Sequence, residues 1–224
     1  MNILAIECTH AALSVAVMHA GVVAEVRGSD WKKAAESLVP LVEEVMAESA
    51  LDLKQLDCIA ISSGPGSFTA LRIGMSIAKG VAYGLGIPLV PVPTMPAMAA
   101  SLGDEPGTGM GVIPSRKGEY YYATYLSGEL SSGVWHDEVK RGSAADVVAA
   151  ASSESGGMVV VGRQLNEIIL LLEGSGAVYQ EADGFSATSL FSAAERLFAG
   201  ADAAELSEVE PDYRQLFSPN GAGG

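Results

Sequence analysis

Cysteine is scarce in this 224-residue chain: there are two, Cys8 and Cys58, each inside an apolar run that reads as a buried strand. Two separated thiols supply neither a disulfide framework nor a cysteine-rich zinc site, so the reducing cytoplasm is the expected compartment. Basic residues are few as well. Against 27 Asp and Glu stand 13 Lys and Arg, a formal net charge of −14. A protein that holds a phosphate backbone on its own surface clusters Lys and Arg and gains affinity from released counterions, so any nucleic-acid role is expected to be shared with a partner. The three histidines, His10, His19 and His136, form no His-x-x-x-His or His-Glu-x-x-His pair, and no zinc or iron site is expected from them. Gly-x-Ser-x-Gly is also missing. Cys8 lies two residues before His10, and alternate strand residues share a face, but a thiol ending a buried strand reads as structural.

No basic segment opens the chain, and Glu7 and His10 fall within its first 18 residues, which speaks against a signal peptide. Residues 80–103 carry no charge, yet they hold Pro88, Pro91, Pro93 and Pro96. Four prolines defeat the continuous hydrogen bonding of a membrane-spanning helix, so no membrane association is expected. What remains is a chain with 49% hydrophobic residues, enough for one large folded domain or two compact ones.

Three apolar runs, 1–8, 13–18 and 22–27, are joined by short turns and read as an antiparallel meander. Leu38, Leu41, Val42, Val45 and Met46 then recur at helical spacing, predicting a helix from about 36 to 50 with Pro40 tolerated in its first turn. A strand over 56–62 runs into the breaker Gly64-Pro65-Gly66. A helix over 67–84 follows, with Ser67 or Thr69 as its N-cap, and a strand over 87–92 closes the half. Gly74, Ala78 and Ala82 make a row of small residues that admits a close neighbour. The second half repeats the order more loosely: strands at 111–114, 120–126 and 134–139, a helix at 143–152, a strand at 158–161, a helix at 166–172, a strand at 177–180 and a helix at 187–199. Gly107-Thr108-Gly109-Met110-Gly111 reads as a linker. The layout predicts an α/β protein of two ribonuclease H-like lobes (β-β-β-α-β-α), as in the actin, hexokinase and Hsp70 (ASKHA) superfamily. The lobes would span 1–103 and 104–217, with a flexible tail over 218–224.

Gly64, Pro65, Gly66, Ser67, Phe68 and Thr69 follow a strand and open a helix. Free N–H groups at such a turn could hold an anion, but the spacing matches neither the P-loop nor the dinucleotide-binding fingerprint, and a tight strand-to-helix connection is the other reading. Glu7 with Thr9 stands where actin-type enzymes place an acidic residue near metal and phosphates; a solvated strand-end carboxylate is the alternative. Arg116-Lys117 and Lys140-Arg141 read as solvated turn charges. The rows Leu38/Val42/Met46 and Leu71/Met75/Ala78 fit packing on a sheet. The first helix is apolar over a wider arc that includes Val39, wide enough for part of it to be an interface.

The run Ser62-Ser-Gly-Pro-Gly-Ser-Phe-Thr-Ala-Leu-Arg-Ile-Gly74, followed by Ala78-Lys79-Gly80, resembles the TsaB (YeaZ) family. The resemblance extends to Ala5-Ile-Glu-Cys-Thr-His10, Ser14-Val-Ala-Val17, Glu36-Ser-Leu-Val-Pro40, Ser115-Arg-Lys-Gly-Glu-Tyr-Tyr-Tyr-Ala123 and Pro211-Asp-Tyr-Arg214. It implies a non-catalytic subunit, without cofactor, of the machinery that forms N6-threonylcarbamoyladenosine at position 37 of tRNAs reading ANN codons. In that machinery TsaC makes threonylcarbamoyl-AMP, a TsaD-like subunit holds the metal and performs the transfer, and a TsaE-like ATPase assists; tRNA is met only through the complex. The resemblance further implies pairing with the TsaD-like subunit, or with a second copy when alone, through helices 36–50 and 67–84. The pairing surface is then expected on Leu38, Val39, Val42, Met46, Leu71, Met75 and Ala78, and Gly64 to Thr69 with Arg72 form the signature loop. Departures from the family pattern are Ala35 where a histidine is usual, Ala70 for a glycine, Glu7 for an aspartate, and a shortened Tyr-Arg spacing before Arg214. The competing expectation is an enzyme, metallopeptidase-like or an actin-type ATPase, the latter resting on nucleotide contacts by Glu7, Thr9 and Arg116.

Overall fold

The computed structural model describes residues 1–9, 11, 13–103, 107–153 and 157–214. Strand β1 (Ile3–Glu7) is central and buried along its whole length. It pairs antiparallel with β2 (Ser14–His19), which pairs antiparallel with β3 (Val22–Arg27). The β2–β3 link is the dipeptide Ala20-Gly21, both residues at positive φ (49° and 79°), the conformation whose twist suits a two-residue hairpin. Strands β4 (Cys58–Gly64) and β5 (Leu89–Pro93) add in parallel on the other side, giving the order β3-β2-β1-β4-β5.

A second sheet repeats this plan. Strand β6 (Thr108–Pro114) takes the place of β1, β7 (Tyr120–Leu126) and β8 (Lys140–Gly142) add antiparallel, and β9 (Met158–Gly162) and β10 (Val178–Glu181) add in parallel, in the order β10-β9-β6-β7-β8. In both sheets helices bridge the third strand to the fourth and the fourth to the fifth. These are α1 (Ala34–Ser49) and α2 (Phe68–Leu85) on the first, α5 (Ala144–Ser152) and α6 (Asn166–Leu172) on the second. Two such lobes in one chain are the expected ribonuclease H-like α/β architecture of the ASKHA superfamily.

Alternation along the strands divides the interior into three cores. Leu4, Ile6, Ile59 and Ile61 face α1 and α2, while Ile3, Ala5, Cys58 and Ala60 face the middle of the molecule. There they meet α3 (Thr94–Ala100), α7 (Phe191–Phe198) and the inner face of the second sheet, with Ile113, Tyr121, Ala123 and Tyr125. Met110, Val112, Tyr120 and Tyr122 turn the other way, onto α5 and α6. The alanines on the inner face of the first sheet leave room for the middle layer.

The local expectations fail at three places. Residues 134–139 are not a strand; the short helix α4 (Ser127–Ser132) and an irregular segment precede β8. The glycine cluster at 107–111 is not a linker but runs into β6, where a Cβ on Gly111 would lie 2.9 Å from the Met95 carbonyl oxygen, so glycine is what lets α3 lie close on the strand. Helix α1 begins at Ala34, which puts Pro40 in its second turn on the exposed side. There the missing N–H gives up one intrahelical bond. The row Gly74, Ala78, Ala82 does admit a close neighbour, which is the chain's own first sheet: all three are buried, and a Cβ on Gly74 would strike the Cys8 sulfur. His10, residues 104–106 of the expected lobe boundary and the tail over 218–224 lie outside the described residues.

Candidate functional site

The signature loop joins β4 to α2 and is held by its own chain. The Gly64 N–H donates to Thr94 Oγ1 (3.0 Å), and the Ser67 N–H donates to the Thr9 carbonyl (2.6 Å). Ser67 occupies the N-cap position of α2 without a side-chain bond to the helix. A Cβ on Gly66 would lie 2.7 Å from the Thr9 oxygen, so the loop rests directly on the turn after β1. From the other side the C-terminal segment crosses it. The Asp212 N–H donates to the Ser63 carbonyl (2.7 Å), the Tyr213 and Phe68 rings lie 4.7 Å apart, and Tyr121 of the second sheet donates its hydroxyl to the Arg214 carbonyl (3.1 Å). Burial pushes the Asp212 carboxyl up, with the Arg214 N–H acting in the opposite direction. The Pro211 to Arg214 motif thus clasps the signature loop. Two of the loop's N–H groups are spent on internal acceptors, which favours the tight-connection reading over an anion cradle.

Beside the loop, α1 and α2 leave a groove of about 500 Å³ between them. Phe68, Arg72, Ile73, Ser76 and Ile77 of α2 line it, with Ala35 of α1 opposite. The Arg72 guanidinium stands 5.4 Å from the Phe68 ring centroid, and Val39 and Phe68 are 48% and 44% exposed. The residues expected to form the pairing surface are otherwise placed. Leu38, Val42, Met46, Leu71, Met75 and Ala78 are all buried in the chain's own interior, and Val39 alone of the seven faces out. The reason is geometric: the helical rows strongest in apolar residues are those the sheet captures. The groove-lining positions, one step round each helix, mix apolar with polar residues and so carry a weaker pattern.

Between the lobes, Glu7 is fully buried rather than solvated. Its Oε1 accepts from the Thr9 N–H (3.0 Å) and the Thr9 hydroxyl (2.5 Å) and lies 3.5 Å from Nη1 of Arg163. Its Oε2 has no hydrogen-bond partner among the described residues. Arg163 follows β9; its Nε donates to the Ala182 carbonyl (3.3 Å), Nη2 donates to the Phe185 carbonyl, and the guanidinium lies over the Phe185 ring. Arg116 takes no part in this: it sits in the β6–β7 turn, paired with Glu119 at 3.2 Å. The nucleotide triad expected from the sequence is therefore not assembled. Glu7 and Thr9 meet, and the cation beside them is Arg163, which no short-range pattern links to residue 7. A polar cleft of about 310 Å³ opens next to the pair, lined by residues of both signs such as Arg27, Glu181 and Asp183. Cys8 donates its thiol to the Ala70 carbonyl (3.4 Å), and burial followed by the negative charge of Glu7 pushes that thiol far above its ordinary range. Among the described residues no three His, Cys, Asp or Glu gather to hold a metal, and no helix is long and apolar enough to cross a membrane.

A family model described as TsaD, tRNA N6-adenosine threonylcarbamoyltransferase, matches residues 15–149. The tRNA threonylcarbamoyladenosine biosynthesis protein TsaB of Escherichia coli K12 is 34% identical over 140 residues, 62% of this chain and 60% of that protein. The protein of the same name from Haemophilus influenzae is 29% identical over 134 residues, 59% of this chain and 57% of its own. The matched region thus spans less than two thirds of these curated relatives. Among solved structures, YeaZ from Pseudomonas aeruginosa superposes with a TM-score of 0.70 at 21% identity, covering 95% of this chain and 99% of that one. A second Pseudomonas aeruginosa structure, described as an uncharacterized protein with similarity to peptidase YEAZ, gives 0.75 at 21% identity, with 96% and 99% covered. At that identity both establish the fold alone.

Proposed function

The chain belongs to the TsaD-type threonylcarbamoyltransferase family and is TsaB-like (YeaZ-like) within it, and from that premise we propose that it is the non-catalytic partner of a TsaD-like subunit in forming N6-threonylcarbamoyladenosine on tRNA. The observation that carries this reading is the α1–α2 groove. It is an uncovered, partly apolar surface beside the signature loop, in a chain whose most enzyme-like carboxylate is bound internally to Thr9 and Arg163.

In this proposal the lobe over 1–103 meets the partner and the lobe over 104–217 braces it. Phe68, Ile73 and Ile77 bury against apolar residues of the TsaD-like chain, and Arg72 finds an acceptor at the rim. The clasp of Asp212 and Tyr213 on the signature loop fixes the N-terminal end of α2 in advance, so little ordering is lost on association. The partner is activated because its competent arrangement binds this face more tightly than its idle one. A second copy could occupy the same face when the partner is absent, and a TsaE-like ATPase would join the assembled pair. With −14 net charge, this chain leaves the tRNA backbone to other subunits.

The test reconstitutes adenosine-37 modification with the TsaD-like subunit, with this chain supplied, omitted, or replaced by Val39→Asp and Ser76→Asp. Both positions are exposed, so folding survives while a charge is set into the interface. Association followed by size-exclusion chromatography and the modification yield should both collapse. Equal yield without this chain would overturn the accessory role; full association of both variants would overturn the surface.

A further inference from the structure

A continuous run of contacts leads from the second sheet to the α1–α2 groove. Tyr121, on the inner face of β7 and buried, donates its hydroxyl to the Arg214 carbonyl (3.1 Å). Arg214 takes a φ of +47°, a conformation uncommon for a residue other than glycine and kept where the surroundings fix it. Its N–H and Nε donate to the Asp212 carboxylate (3.2 and 2.7 Å), and Nη2 donates to Asp137. Asp212 is fixed in turn, since its own N–H donates to the Ser63 carbonyl (2.7 Å). Tyr213 stands between these two pinned residues, with its ring 4.7 Å from that of Phe68, the first residue of α2. Phe68 lines the groove, is 44% exposed and has the Arg72 guanidinium 5.4 Å from its ring centroid. Its ring thus touches two side chains of its own molecule while much of it faces solvent.

We propose that affinity for the TsaD-like subunit is set from the second lobe: Phe68 anchors the docking face, Tyr213 is a positioning residue that holds the Phe68 ring, and Tyr121 and Arg214 are positioning residues that hold Tyr213. This rests on the assembly role proposed above and names the residues that tune it. Aromatic residues and arginine are enriched at interface cores, and a few of them carry most of the binding free energy. An exposed ring that is free to change rotamer must be ordered on binding, whereas a ring already stacked has lost that freedom in the unbound chain. The freedom of one such side chain corresponds to roughly a two- to tenfold change in affinity. Asp137 is 85% exposed, so its ion pair with Arg214 adds little. The Asp212 carboxylate and the Tyr121 hydroxyl carry the hold on Arg214.

The test measures the affinity of the full-length chain for the TsaD-like subunit by titration calorimetry, and hydrogen exchange of the Asp212 amide in the chain alone. Phe68→Ala should weaken association about tenfold or more. Tyr213→Ala should weaken it roughly two- to tenfold, while Tyr213→Phe, which keeps the ring, stays at the parent value. Tyr121→Phe leaves its own ring in the core; it should weaken association in the same two- to tenfold range and speed exchange of the Asp212 amide. The telling variants combine Phe68→Ala with Tyr213→Ala or with Tyr121→Phe. Because both residues act through the Phe68 ring, the second change should weaken association no further, whereas a merely structural role would add its full loss. Additive losses, parent affinity in Tyr213→Ala, a Tyr213→Phe loss as large as that of Tyr213→Ala, or Asp212 exchange indifferent to Tyr121→Phe would each overturn the proposal while the assembly role stands. A parent chain that does not bind the TsaD-like subunit would overturn the assembly role and this proposal with it.

Discussion

Replacing Arg163 with methionine would leave the Glu7 carboxylate fully buried, with Thr9 as its remaining hydrogen-bond donor among the described residues. Methionine keeps most of the alkyl packing but removes the charge and the bonds to the Ala182 and Phe185 carbonyls. Breaking a buried ion pair from one side costs about 3–5 kcal/mol, because the surviving ion stays desolvated and unpaired. For a domain of this length each kcal/mol moves the midpoint about 2–4 °C, so a fall of roughly 6–20 °C is expected by calorimetry. Glu7→Gln keeps an oxygen acceptor for Thr9 and removes the charge, and should cost less. The decisive measurement is the double variant. If the two groups act on each other across the lobes, Glu7→Gln with Arg163→Met should be less damaging than the two single losses added, by about 0.5–3 kcal/mol of coupling. Strict additivity, or an Arg163→Met midpoint within about 2 °C of the parent, would refute the view that this pair ties the first sheet to the second.

Gly66→Ala should destabilise by about 1–3 kcal/mol, since its Cβ would press on the backbone of Thr9 at 2.7 Å, whereas Gly80→Ala on the open side of α2 should stabilise by about 0.5–1 kcal/mol; urea unfolding of both reads the contrast. Neither thiol should react with Ellman's reagent in the native protein, and both should react in denaturant. Burial, followed by Asp57, pushes Cys58 up to about 12, and burial followed by Glu7 pushes Cys8 up further. Because both folded values are raised, the stability linked to them is complete below the unfolded thiol value of about 8.5 and is lost as pH rises above it. Thermal midpoints from neutral to strongly alkaline pH should therefore fall more steeply for the parent than for Cys8→Ala with Cys58→Ala. Calorimetric titration with Mg-ATP should give no heat that Glu7→Ala removes; micromolar binding lost in that variant would instead support the ATPase reading.

Elements of strong local pattern are legible in the residues themselves. The helix over 166–172 and the strands near 14–19 and 120–126 stand where period and turn residues put them, and the repeated strand-helix order is enough for the fold. Helix α3 has no such signal because Thr94-Met-Pro-Ala-Met-Ala-Ala100 has apolar or small residues all round, which erases the periodic contrast a surface helix shows. Val134 to Val139 has β-branched and aromatic residues but lacks a partner; no neighbouring strand pairs with it among the described residues.

By itself the sequence determined the duplicated α/β plan, the signature loop and the lack of metal-binding and nucleophilic patterns, since each is written in spacings of a few residues. Only the tertiary structure decided which way each helix turns, so that Leu38 and Met75 belong to the core and Ser76 to the groove, and which distant groups meet. Glu7 and Arg163 are separated by the whole first lobe, and Asp212 returns from the far end to cover Gly64. Such pairings are set by how sheets stack and helices cross, a long-range outcome of burying apolar area that no local window contains.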